Sequence, residues 1–185
     1  MVFDVVIDEA FVNFYLEPDA TKYNKKSILG LINDFEDGNW RFEKFQEFIW
    51  DNIAETSLSF RERNSLISKP MSLLSESARN LRLTDAENDI SKGSELAEIV
   101  LYGIMKNHYQ ALPVVPKIFY KQNVQDNAKG ADSVHIVVTD DDFSIWFGEA
   151  KFYNSIDDDR LDTIITSVEN SLKSDKLKKE NSIIT

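Results

Sequence analysis

The sequence contains no cysteine. That excludes disulfides, thiolate metal sites and cysteine nucleophiles, and it fits a cytoplasmic protein. It has no run of about 18 apolar residues, so no membrane span is expected. The opening Met1–Glu9 stretch lacks a basic n-region and is interrupted by acids, so it does not read as a secretory signal. There is no GxxxxGK[ST] loop to cradle phosphates, so any use of ATP is expected to belong to a partner. Basic residues are scarce: 21 Lys and Arg face 32 Asp and Glu, for a formal net charge of -11. Taken alone this weighs against a nucleic-acid binder, because phosphate neutralisation by Lys and Arg supplies much of that affinity. Two readings answer the objection. Metal-binding carboxylates add acid locally, or a partner protein carries the nucleic acid. No internal repeat or low-complexity tract is visible. The length of 185 residues suits one domain, or one domain with an appended subdomain.

What is present falls into two parts, 1–90 and 91–185. Val2–Ile7 reads as a short strand, being rich in β-formers. Helices are expected over about 21–35 and 41–55. In the second, Phe42, Phe45, Ile49 and Ile53 recur at spacings of three and four, with Trp50 alongside, and this aromatic stripe reads as packing. Residues 56–70 read as loop or short helix. Pro70 opens another helix over Met71–Leu81, since proline is tolerated in a first turn. The first part is thus mainly helical. Polarity rises over Thr84–Ser94 and marks the boundary. A helix follows over Ser94–Tyr109, which Pro113 and Pro116 prevent from continuing. Strands are then expected over Val114–Tyr120, Ala131–Val138 and Phe143–Tyr153. The turn Thr139-Asp140-Asp141-Asp142 joins the last two into a hairpin. A helix restarts near Asn154–Asp159 and runs to about Leu172. The second part therefore reads α-β-β-β-α, a mixed α/β (α+β) chain.

The chemistry gathers on the hairpin. Side chains in a strand alternate faces. Glu149 and Lys151 therefore share a face, roughly 7 Å apart along the backbone. Phe143, Ile145 and Phe147 precede them on that face, so a carboxylate and an ammonium stand where core residues are expected. Buried charges need pairing or a metal. A plain Glu149–Lys151 ion pair is one reading. Asp132, near the start of the neighbouring strand, opens another, because the start of one hairpin strand lies opposite the end of the other. Two converging carboxylates suit a hard cation such as Mg²⁺ or Mn²⁺. Such an ion activates water and offsets charge on a phosphate, and a lysine beside it orients that water or stabilises the charge. The preceding helix offers one more acid. On a helical wheel Glu98 falls between Tyr102 and Met105 on an apolar arc, whereas Glu95 falls near Lys106 on a more polar one. Glu98 is the favoured inward acid and Glu95 the fallback.

These residues resemble a known family. Helix with Glu, strand, strand with Asp, strand with E-x-K and helix is the order of the PD-(D/E)xK nuclease superfamily. More narrowly, Gly93-Ser94-Glu95-Leu96-Ala97-Glu98, Gly130-Ala131-Asp132-Ser133-Val134-His135 and Gly148-Glu149-Ala150-Lys151-Phe152-Tyr153 look like the HamA-type proteins of Hachiman and related antiphage defences. The resemblance covers roughly Ser91–Leu172. It implies a restriction-endonuclease-like core and a Mg²⁺-dependent deoxyribonuclease. Glu98, Asp132 and Glu149 would be metal ligands, with the Ala150 carbonyl beside them, and Lys151 the catalytic lysine. It also implies a helicase-like ATPase partner, which could supply the basic DNA track. The superfamily core has a fourth strand after its second helix. The sequence stops at Ile183-Ile184-Thr185, where that strand would begin, so the core is expected to lack it. The rival reading is an inert nuclease-fold adaptor that binds a partner protein. RNA as substrate is a third reading, and nothing in the sequence separates it from DNA.

Other features have plainer readings. His108 at a helix end and His135 in a strand, on the face opposite Asp132, read as core or surface histidines. Asp140-Asp141-Asp142 reads as a solvated turn. Asp157-Asp158-Asp159 reads as acids at a helix start, where the dipole favours them. Lys173, Lys176, Lys178 and Lys179 read as a solvated helix end, with a phosphate-contacting patch as the alternative. Lys117, Lys121 and Lys129 flank the presumed site as DNA contacts.

Overall fold

The computed structural model describes residues 35–81, 93–121, 131–153, 157–171 and 173. The expected strand at Val2–Ile7, residues 21–34 of the expected first helix, the polar boundary over 84–92, and Lys129, Lys176, Lys178 and Lys179 lie outside them. The chain divides into two compact units, Met1–Phe48 and Ile49–Thr185.

In the first unit, β1 (Phe35–Glu36) and β2 (Asn39–Trp40) form a short antiparallel hairpin. Its turn is Asp37-Gly38, with φ of 51° and 77°. Two left-handed residues in a two-residue turn are what Asp-Gly favours, since they match strand twist. The sequence reading ran a helix to about Phe35 and so overran the first strand of this hairpin. Helix α1 (Phe42–Ser57) spans the division between the units. Of its stripe, Phe48 and Ile53 are buried while Phe42 and Trp50 stay exposed.

In the second unit, α2 (Phe60–Ser65) opens on a capping box, in which Ser59 and Glu62 satisfy each other's backbone donors. Helix α3 (Pro70–Arg79) carries Pro70 in its first turn, as expected. Helix α4 (Gly93–His108) ends where Gln110 turns left-handed, and the Ala111 N–H then closes on the Met105 carbonyl at 3.0 Å. Ile53, Ile99 and Ile118 form the core, with Ile49, Leu74 and Leu81 packed against it. Full burial, as at Ile53, Ile99 and Ile118, contributes about 1.5–3 kcal/mol per side chain.

The sheet is three-stranded and antiparallel, in the order β3 (Leu112–Pro113), β4 (Ser133–Val138), β5 (Phe143–Gly148). Together with the helices it makes an α+β fold. The expected strand over Val114–Tyr120 is replaced by the two-residue β3 and a short helix, α5 (Lys117–Lys121). Pro113 and Pro116 explain this: neither donates to a ladder, and Pro116 is preset to enter a helix. The hairpin of β4 and β5 forms as expected. Thr139 N–H donates to the Asp142 carbonyl at 2.8 Å, and the Asp142 carboxylate accepts from Phe143 N–H at 2.7 Å. Strand β5 stops at Gly148, so Glu149 to Tyr153 are irregular rather than strand. Helix α6 (Asp158–Ser171) closes the described chain near its expected bounds. Among the described residues no helix is long and apolar enough to cross a membrane.

The register fixes which face meets α4. Ser133 pairs with Gly148 and His135 with Trp146. Tyr102 of α4 lies against His135, with ring centroids 5.5 Å apart, and Tyr109 lies against Trp146 at 5.1 Å. A Cβ on Gly148 would run into Ser133 Oγ and lie 2.8 Å from Leu101 Cδ2. The helix thus packs on the face of Ser133, His135, Trp146 and Gly148.

Candidate functional site

The acids named from the sequence fall into two neighbouring groups. The inner group is a cavity lined by Glu98, Tyr102, Lys117, Asp132, Ser133 and His135, with room for about one water-sized occupant. Helix α4 supplies Glu98, which is 4% exposed, in keeping with its place between Tyr102 (4%) and Met105 (7%) on the buried arc. Glu95 is also buried, at 9%, although the wheel put it on the more polar arc. It does not line the cavity. Lys117, expected as a flanking DNA contact, is 4% exposed and turns out to belong to this interior. His135 is 1% exposed. Burial pushes its imidazole down to about 4, so it is neutral at ordinary pH. Both its ring nitrogens and the Ser133 hydroxyl make no hydrogen bond among the described residues.

The outer group surrounds Glu149. Lys151 donates to Glu149 Oε1 and, at 3.3 Å, to the Ala150 carbonyl. Ser167 and Ser171 of α6 donate to the two Glu149 oxygens at 2.7 and 2.9 Å. Burial acts to raise the Glu149 carboxyl, but hydrogen bonds from Lys151, Ser167 and Ser171 outweigh it and hold the group below the usual carboxylate range. The ion pair considered from the sequence is therefore present. The two serines were not singled out there. Their spacing of four, which stacks them on one helix face, was the available signal.

Asp132 links the groups. It lines the inner cavity, and its Oδ2 accepts the Ala150 N–H at 3.0 Å. Extending the Ser133–Gly148 pairing by one residue sets Asp132 opposite Glu149. Glu149 does not line the cavity. Among the described residues no three His, Asp or Glu side chains are gathered closely enough to hold a metal ion.

A third cluster braces the cavity. Tyr102 Oη and Lys106 Nζ donate to Glu55 Oε2 at 2.7 and 2.9 Å. Burial, then the Glu55 bond, push the Tyr102 phenol upward. For Glu55, burial works upward, but bonds from Lys106 and Tyr102 leave it lowered.

Comparison with known proteins gives one match. The model of a family described as HamA matches residues 6–185, nearly the whole chain. No curated protein and no solved structure matches.

Proposed function

We propose, from the premise that this chain belongs to the HamA family of Hachiman antiphage defence, that it is a metal-dependent deoxyribonuclease with a PD-(D/E)xK core. The observation that carries the reading is the bond between Asp132 and Ala150 N–H, which joins the Asp strand to the Glu149-Ala150-Lys151 segment. The three-stranded antiparallel sheet with α4 on one face is compatible with that core.

The residues suit a hard divalent ion such as Mg²⁺ or Mn²⁺ in donor chemistry. Mg²⁺ is commonly held by one or two carboxylates and keeps several waters. Glu98 and Asp132 supply two carboxylates to the lining of one cavity, where the Ser133 hydroxyl and the His135 ring nitrogens make no hydrogen bond among the described residues. Glu149 and the Ala150 carbonyl would complete the set. A bound ion lowers the pKa of water and offsets charge at the scissile phosphate. Lys151 would hold its ammonium beside Glu149 and Ala150, where it can donate to a phosphate oxygen or orient the attacking water. Neutral His135 adds no positive charge to compete with the ion. The net charge of -11 favours a helicase-like ATPase partner that holds the DNA, in the cytoplasm, and that restrains the nuclease.

The test is cleavage of supercoiled, linear and single-stranded DNA by the protein with its partner, in Mg²⁺, Mn²⁺ or EDTA. Metal-dependent cleavage that Lys151→Ala abolishes is the expected result. Cleavage that survives Lys151→Ala, or that persists in EDTA, overturns the reading.

A second reading, an inert adaptor, draws on the hairpin tip. Val138 and Phe143 are cross-strand partners, exposed at 61% and 59%. Paired apolar side chains in water suit a protein contact. An adaptor would show no Mg²⁺ or Mn²⁺ binding that depends on Glu149.

A further inference from the structure

Two exposed parts of the chain carry opposite charge around apolar side chains. The first is the segment 60–71, which runs from α2 into the first turn of α3. Ile67 and Met71 are 79% and 77% exposed, and every residue between them is exposed too. Lys69 stands in the middle of that stretch. It is the N-cap of α3, so the positive end of the helix adds to its charge. Phe60 is also exposed, with Arg61 exposed beside it. The segment holds three basic residues and one acid. That acid, Glu62, is engaged by Ser59 in the capping box. In a chain of net charge -11 this is a local reversal of sign. The second part is the hairpin tip. Val138 and Phe143 pair across it, and Asp140, Asp141 and Asp142 stand exposed between them without a basic residue. The Asp142 carboxylate is occupied by the Phe143 N–H. Among the described residues Arg61, Lys69, Asp140 and Asp141 make no ion pair.

Large apolar side chains held in water beside charge of one sign suit a surface that another molecule covers. Each of these two parts offers what the other needs: apolar side chains to bury, and charges of the opposite sign at their edge. Both belong to the same chain, so every copy carries both halves of the match. We propose that the hairpin tip of one copy docks on the 60–71 segment of a second copy. Asp140 and Asp141 meet Lys69 and Arg61, while Val138 and Phe143 cover Ile67 and Met71. Because the two surfaces differ, the contact is head to tail. It closes as a reciprocal dimer or a ring, or continues as an open chain. The contact is small and belongs with weak, transient associations. It uses none of Glu98, Asp132, Glu149 and Lys151, so it stands apart from the nuclease reading.

The experiment is sedimentation of the full chain at about 0.15 M salt, where repulsion between acidic chains is screened beyond about 8 Å. Concentrations run from about 1 µM to about 1 mM, the range of weak contacts. The average mass should rise with concentration. Asp140→Lys with Asp141→Lys should weaken the association about tenfold or more, because two attractions become repulsions. Arg61→Glu with Lys69→Glu should do the same. Mixed together, the two variants should associate again, since a reversed tip then faces a reversed segment. All four positions are exposed, so melting temperatures should stay near that of the unaltered chain. Phe143→Ser leaves every charge in place and should cause the same loss by removing apolar contact. A mass that stays that of one chain at every concentration overturns the proposal. Self-association that neither reversal weakens, or that mixing does not restore, overturns it as well. DNA cleavage and its dependence on Lys151 are read separately, so either reading can fail while the other stands.

Discussion

Glu98 and Lys117 keep 4% of their surface in water, whereas the side chains of Glu149 and Lys151 keep 15% and 29%. The two acid–lysine sets are neighbours joined through Asp132, yet they rest on different physics. In the inner set burial makes any charge costly to leave unanswered. In the outer set water shares the load, and three donated hydrogen bonds hold Glu149 in place. The comparison teaches that a carboxylate's neighbours, more than its type, decide what its loss would cost.

The sharpest way to separate the sets is chemical. Lys151→Ala should lower DNA cleavage by about 10²–10⁴-fold, the range for losing a group that moves or orients protons, with little change in melting temperature. The second is energetic. Glu98→Ala removes a carboxylate that is 4% exposed, leaves its buried surroundings unanswered and should cost about 3–5 kcal/mol in urea unfolding. Glu149→Ala should cost about 1 kcal/mol, because the freed partners can turn to water. Equal losses would erase the distinction between the sets.

The third concerns pH. His135 sits near 4 in the fold against 6.5 when unfolded. A lowered histidine contributes stability that is whole above 6.5, and it is lost as pH falls through 4, because the unfolded chain takes up the proton first. The loss amounts to roughly 3 kcal/mol, at about 1.4 kcal/mol per unit. His135→Phe should flatten the unfolding free energy between those two pH values. An unchanged slope would show that this ring does not control it. The smallest effect is expected at Ser171→Ala. It removes one donor to Glu149, so the carboxyl should titrate higher by NMR, with a stability loss of about 1 kcal/mol or less. A Glu149 titration that does not move would mean the serine bond adds nothing.

Much of this was legible in the sequence, for local reasons. The hairpin followed from β-formers around an Asp-rich turn, and α4 from its periodicity. Pro70 gave the start of α3. The run Val114–Tyr120 misled because apolar strings do not distinguish strand from helix, and its two prolines should have weighed more. The first hairpin was missed because the helix expected over about 21–35 took in Phe35, and Asp37-Gly38, which lies between the two expected helices, was not read as a turn. The order of Glu98, Asp132, Glu149 and Lys151 could be read because it is linear. Their partition into two lysine-bearing sets could not, since it depends on which side chains the tertiary fold encloses. Lys117 shows this best: a lysine beside a proline looks like surface, and only packing against α4 and β4 makes it interior. His135 was read onto the face opposite Asp132, yet the two line one cavity because Asp132 precedes the regular strand, where alternation no longer binds it.

Gly148 works as a survey mark. The residue after it is Glu149, its cross-strand neighbour Ser133 follows Asp132, and Leu101, which closes on it from the helix, lies three residues beyond Glu98. One point with no side chain therefore fixes three baselines at once. Put a methyl group on that mark and every bearing taken from it shifts together, so all three acids would be moved by a single substitution that touches none of them.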